Sequence, residues 1–326
     1  MRLHWNQDGK RVRRASHRCR AASGKTEMPT ANTSAVRRSW ITAFPPARGS
    51  MAQWAKATFD ATHYPDTINR ESGGPSTRPS RPLHQFEMNW LIDRVLRRTL
   101  PVGGAYRTLL KWRAWQAVRF GEPEIRLLRY LVDPMRAAID IGAAEGVYSF
   151  FLQRLALRCI AFEPNPWLQL GLKRALPEVE IHQAAVSAVE GDATFRVPVV
   201  NGIPYTGWAT IEPKNQLTEL PPHVVEEIKV RTVRPDRMAL GDIGFVKIDV
   251  EGHERDALAG LSGLLAKCRP NLLIEIGGAQ RGGSLAEVQR CLDALGYIGL
   301  RLDDRGLLKP ANDTDKGSPN VIFIPL

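Results

Sequence analysis

The sequence predicts an α/β fold, a Rossmann-like doubly wound sheet with mostly parallel strands and helices on both faces. From Ala137 onward, strand-like and helix-like segments alternate with short connections. The strand-like segments are apolar almost throughout, as in AAIDIGA at 137–143 and NLLIEIG at 271–277, the pattern of strands buried on both faces. The helix-like segments repeat apolar residues every three or four positions, as Ala257, Leu258, Leu261, Leu264, Leu265 and Cys268 do. At 326 residues and 43% hydrophobic content, the chain has ample material for a core.

Residues 1 to about 85 are rich in Arg, Ser, Thr, Pro and Gly, as in SGGPSTRPSRP at 72–82, and show no sustained periodicity. That composition predicts a disordered basic tail. Residues 1–50 hold +9 of the net charge of +11, so the other 276 residues carry only +2. The basic excess thus lies on the tail and not on a folded face, and no stable nucleic-acid partner is expected. Met28, Met51 and Met88 leave open whether translation starts at one of them, making the tail no part of the native protein, or whether the tail is a targeting or nucleic-acid arm. Helices are expected within 86–134, around 88–99 and 104–119, with EIRLLRYLV at 124–132 leading into the main domain at 135–326. There the order is strand 137–143, helix 146–157, strand 158–164, helix 166–176 and strand 179–186. An insertion at about 192–236 follows, with strands in ATFRVPVV and IKVRTV around a Gly/Pro-rich loop. Strand 245–250, helix 254–268, strand 271–277, helix 284–295 and strands 297–303 and 320–326 complete the domain.

No run of 18 apolar residues is present, the scattered Arg and Lys near residue 1 give no expectation of a secretory leader, and Cys19, Cys159, Cys268 and Cys291 form no metal-type or paired spacing. A soluble, cytoplasmic protein with reduced thiols is expected.

Ligands of doubly wound sheets sit at the carboxyl ends of the strands, where strand order reverses. The turn after the first strand, Asp140-Ile-Gly142-Ala-Ala-Glu145-Gly146, lacks the G-x-G-x-x-G spacing that cradles a pyrophosphate. Its acids would repel a phosphate and tolerate the ammonium and sulfonium of S-adenosyl-L-methionine. Glu163 ends the next strand, 23 positions after Asp140, where an acid reaches ribose hydroxyls. A tight turn and a helix-capping Glu163 are the plain structural alternatives.

Within FVKIDVEGHERDAL, residues 245–258, strand alternation puts Lys247, Asp249 and Glu251 on one side. A lysine buried there needs an acidic partner, Asp249 or another carboxylate. The structural alternative is a buried ion pair with Glu251 at a helix N-terminus. Asp249 and Glu251 nevertheless fall where the cleft should open.

The blocks IDIGAAEGVYSF, AFEPNP, FVKIDVEGHERDALAG, PNLLIEI and SPNVIFIP, in this order over about 135–326, resemble the FkbM-type S-adenosylmethionine-dependent methyltransferases. The resemblance implies a donor loop shaped by Asp140, Gly142 and Gly146, with Glu163 on the ribose and Asn165 beside it; Ala143 and Glu145 of the same loop are further candidate donor-binding residues. It implies an active-site motif of Lys247, Asp249, Glu251 and Gly252. Ala144 departs from the Asn usual in the family. The activity implied is O-methylation of a hydroxyl on a sugar, glycolipid or polyketide-type acceptor. Asp249 and His253 are the candidate bases. Asp249 and Glu251 are too few oxygen ligands to assign a metal. The 192–236 insertion is expected to cover the acceptor, with Tyr205 and Trp208 stacking on a ring or packing the insertion down. Alternatives are a methyltransferase on RNA or protein recruited by the tail, and a non-catalytic binding module.

Overall fold

The computed structural model describes residues 102–218, 220–276, 284–303, 305–312 and 318–326. The tail expected at 1–85 and the helix expected at 88–99 lie outside the described residues.

Helix α1, Val102–Phe120, buries Ala105, Leu109, Leu110, Ala114 and Ala117 along one stripe. A 3₁₀ turn at Pro123–Leu127 and one turn of helix α2, Leu128–Leu131, lead to strand β1, Ala137–Ile141. Then come α3 (Val147–Leu155), β2 (Cys159–Phe162), α4 (Pro166–Ala175), β3 (Glu180–His182) and β4 (Ala185–Val186). The insertion supplies β5 (Gly191–Val200), β6 (Ile203–Pro204) and β7 (Val224–Val233). The chain closes with β8 (Ile243–Ile248), α5 (Glu254–Gly260), α6 (Ser262–Cys268), β9 (Asn271–Glu275), α7 (Leu285–Asp293), β10 (Tyr297–Leu302), β11 (Leu308–Pro310) and β12 (Asn320–Pro325).

The large sheet has the order β11-β10-β12-β9-β8-β1-β2-β3. Strands β9, β8, β1, β2 and β3 are parallel, and β12, β10 and β11 extend them antiparallel. Alternation sorts the side chains into two apolar layers. Ile139, Ile141, Val246 and Ile248 pack with residues of α5, α6 and α7, while Ala138, Ala161 and Phe245 pack with residues of α1, α3 and α4. Each of the Ile, Val and Phe side chains among them contributes roughly 1.5–3 kcal/mol when buried. After β1 the chain winds toward β2 and β3, then returns to the opposite side of β1 with β8. The switch in direction therefore lies between β1 and β8, and a crevice opens at their carboxyl ends.

Two expected elements are divided. The strand expected over 179–186 splits at Gln183–Ala184. Its first part is the edge of the large sheet, and its second pairs with β7 in a separate sheet of order β4-β7-β5-β6. The helix expected over 254–268 breaks at Leu261, after Gly260 comes so close to Ser187 that a Cβ would lie 2.3 Å from the Ser187 carbonyl oxygen. The small sheet has its own core of Ala185, Phe195, Val197, Ala209 and Val230.

Candidate functional site

The carboxyl ends of β1 and β8 are held together by backbone. Asp249 N–H donates to the Ile141 carbonyl at 2.9 Å, and Gly142 follows with φ +76°. A Cβ on Gly142 would lie 1.7 Å from the Asp249 carbonyl oxygen, so this position requires glycine both for its conformation and for space. Gly146, at φ +86°, opens α3 in close contact with Leu172 and Leu176 of the α4 region.

Glu163 is only 4% exposed. Its Oε2 accepts from Ala144 N–H at 2.7 Å and its Oε1 from Asn165 N–H at 2.8 Å, tying the donor-loop turn to the end of β2. Burial, opposed by these two amides, pushes its carboxyl up to about 7. Asp140, also buried, accepts from Ser149 Oγ at 2.6 Å, and burial raises it to about 6. Asn165 caps α4 by accepting from Trp167 N–H at 3.0 Å. Ala143 is buried and its N–H donates to the Phe162 carbonyl. Glu145 turns away from the crevice and pairs with Arg113 of α1 at 3.2 Å.

The crevice holds about 580 Å³, solvent at its mouth included. Gly142, Ala144, Glu163, Asp249, Glu251 and His253 face it from the core, and Thr206, Gly207 and Thr210 from the insertion. Of the two aromatics expected there, Tyr205 is buried and Trp208 half-buried, and neither lines the crevice.

Lys247 is fully buried on the α3 side of β8. Its Nζ donates to Asn320 Oδ1 at 3.2 Å and to the Ile248 carbonyl at 3.4 Å, and lies 4.9 Å from the centre of the Tyr148 ring. Asp249 Oδ2 is 3.8 Å away and Glu275 Oε2 3.9 Å away. Burial pulls the lysine pKa down, but Asp249, Glu275, Glu122 and Asp140 together raise it above the ordinary value, so it stays charged. Burial, with the charge of Asp249 next, holds the Glu275 carboxyl well above the usual carboxylate range. Glu122 accepts from Tyr148 Oη and from Asn320 Nδ2, extending the network to the loop after α1.

Glu251, at φ +51°, turns the chain before α5, and its carbonyl accepts from Thr210 Oγ1 at 2.9 Å and Asn215 Nδ2 at 3.0 Å. The insertion thereby grips the loop that carries Asp249. The acids in the first turn of α5 are Glu254 and Asp256, so the helix dipole acts on them and not on Glu251. His253 is buried with both ring nitrogens engaged, Nδ1 by Glu212 Oε2 at 3.3 Å and Nε2 by Ser187 Oγ at 3.0 Å. Donor atoms of Glu212, His253 and Asp256 fall within 4.8 Å of one another, a grouping that these hydrogen bonds and the 3.7 Å contact to Asp256 account for without an ion.

Sequence reasoning missed Glu275, Glu122, Tyr148 and Asn320. Glu275 alone had a sequence signature, since it ends an apolar strand as Glu163 does.

The profile of the methyltransferase FkbM domain matches residues 140–298, a span that includes both carboxyl-end turns and Glu275. Residues 140–298, just under half of this chain, are similar to that domain. The chain's fold is similar to that of methyltransferase FkbM from Methylobacillus flagellatus, at 14% identity and TM-score 0.39, over 74% of this chain and 60% of that one. A TehB-like SAM-dependent methyltransferase from Corynebacterium glutamicum matches at 13% identity and TM-score 0.37, over 66% of this chain and 95% of that one. A Pyrococcus abyssi tRNA (uracil-54, C5)-methyltransferase in complex with S-adenosyl-L-homocysteine matches at 12% and 0.31, over 62% and 36%. At these identities and TM-scores the likenesses carry no argument about what the chain acts on. No curated protein matches the chain. No helix among the described residues is long and apolar enough to cross a membrane.

Proposed function

We propose that the FkbM-like domain is an S-adenosyl-L-methionine-dependent O-methyltransferase acting on a hydroxyl of a sugar, glycolipid or polyketide-type acceptor. The observation that carries this reading is the charge of the crevice. Glu163, Asp249 and Glu251 line it, with no Lys or Arg among the lining residues. Such a lining opposes a phosphate-bearing dinucleotide and suits a cationic donor. The residues fit that donor. Glu163 offers carboxylate oxygens to a ribose diol, Ile141, Phe162 and Val186 offer apolar walls to a base, and Asp249 stands at the cationic end. When bound, S-adenosylmethionine supplies an electrophilic methyl group.

The chain's own residues then hold the acceptor and take its proton. The Asp249 carboxylate is about one-third exposed, and Lys247 sits beyond hydrogen-bond reach of it at 3.8 Å. Its oxygens are thus available to receive the hydroxyl proton as the new C–O bond forms. His253 lacks that freedom, because protein groups occupy both its nitrogens. Holding the acceptor in line with the methyl group supplies much of the remaining rate, and the insertion at 192–236 serves as the cover that does so.

Calorimetric titration with S-adenosylmethionine tests the reading. The wild-type chain is expected to bind, and Glu163→Ala to bind more weakly by about 1–3 kcal/mol, the scale of hydroxyl partners left unpaired. Unchanged affinity would remove Glu163 from the donor site.

A further inference from the structure

Across the carboxyl edge of the sheet, the groups follow strand order: Glu163 after β2, Gly142 after β1, Asp249 after β8, Glu275 ending β9, and Asn320 opening β12. The residues assigned to the donor occupy the β1 and β2 side. Glu275 lies on the opposite side of Asp249, does not line the donor crevice, and keeps 23% of its side chain exposed. Asp249 stands at the junction.

We propose that Glu275 is a second acceptor-contacting residue, meeting the acceptor alongside Asp249, so that the site takes a carbohydrate with two neighbouring oxygens in place of an isolated hydroxyl. This rests on the methyltransferase reading above. Two carboxyl groups flank one buried ammonium, at 3.8 and 3.9 Å, and neither reaches it closely enough for a hydrogen bond. Lys247 instead donates to Asn320 and to a backbone carbonyl. The lysine therefore sets the charge balance under the pair without consuming its hydrogen-bonding capacity. Burial and the neighbouring Asp249 charge favour the protonated form of Glu275. A protonated Glu275 donates and an ionised Asp249 accepts. A vicinal diol matches that pair, one hydroxyl giving its proton to Asp249 while the next oxygen accepts from Glu275. An acceptor with a lone hydroxyl leaves Glu275 unmatched.

The test uses the full chain, methyl-labelled S-adenosylmethionine, and a panel of methyl hexosides with their single-deoxy analogues. The wild type is expected to methylate at least one hexoside and to discriminate roughly tenfold or more against the analogue lacking the neighbouring hydroxyl, the scale of one lost hydrogen bond. Glu275→Ala is expected to raise the hexoside KM about tenfold, while Glu275→Gln, which keeps a donor, stays within about threefold. S-adenosylhomocysteine affinity should be the same in all three proteins. Should Glu275→Ala fail to melt cooperatively, Glu275→Asp decides, because it keeps the acid, shortens its reach and is expected to raise KM likewise. Unchanged KM in Glu275→Ala or Glu275→Asp, or equal loss in Glu275→Gln, overturns the role of Glu275. Donor binding without transfer to any hexoside overturns the acceptor class. A wild type that binds no donor removes the underlying reading and this inference with it.

Discussion

Replacing Lys247 by Met removes an ammonium buried among carboxylates while nearly preserving side-chain volume. In the native protein that charge offsets Asp249 at 3.8 Å, lies 3.9 Å from Glu275 and satisfies Asn320 Oδ1 at 3.2 Å. With Met in place, Asp249 loses its counter-charge and Asn320 its donor. Breaking one side of a buried charge arrangement costs about 3–5 kcal/mol. For a domain of this size each kcal/mol shifts Tm by about 2–4 °C, so a fall on the order of 10 °C is expected. Urea unfolding followed by far-UV circular dichroism at fixed pH should show a lower midpoint with an unchanged slope. Adding Asp249→Asn to Lys247→Met removes the stranded charge and should recover part of the loss, an interaction that a double-mutant cycle reads directly. A Lys247→Met protein melting within about 2 °C of wild type would show that the carboxylates have enough other support, and the charge-balance argument would fail.

Two further outcomes test the donor loop. Gly142→Ala places a Cβ 1.7 Å from the Asp249 carbonyl at φ +76°, and a destabilisation of roughly 2–4 kcal/mol with weakened donor binding is expected in melts and calorimetry; a neutral variant would mean that β1 and β8 are not clamped at this turn. Burial raises Asp140 to about 6 and Glu163 to about 7, above ordinary values of 3.8 and 4.5. A raised folded value means stability that is full below the unfolded value and lost as pH rises through the folded one. The free protein should therefore weaken between about pH 4 and 7, by up to about 3 kcal/mol per group. Asp140→Asn and Glu163→Gln should each flatten the slope, and a rise in stability over this range would contradict the assignment.

The alternation of apolar strands with amphipathic helices was legible because both faces of the large sheet are covered. The turn at Gly142 and the acid at Glu163 were legible because each directly follows an apolar strand. The partners of Lys247 were legible only in part. Asp249 lies two residues away, but Asn320 and Glu122 are brought in by β12 and by the loop after α1, and no local pattern encodes such long-range pairing. The same limit applies to His253, whose engagement by Ser187 and Glu212 depends on how the insertion packs. Glu145 shares its loop with Gly146, yet its direction is set by Arg113 on a helix far upstream in the chain. The division of 179–186 between two sheets followed from tertiary pairing with β7, which strand propensity alone does not register.

Asp249, at the join of the two halves of the site, is proposed to take the acceptor proton. Asp249→Asn keeps the shape of the side chain and removes its basicity. Measured with methyl-labelled S-adenosylmethionine at saturating concentration and the best acceptor of the hexoside panel, it should still bind the donor and transfer methyl groups about 10²- to 10⁴-fold more slowly. An Asp249→Asn protein that binds the donor and transfers at the wild-type rate would show that Asp249 is not the base.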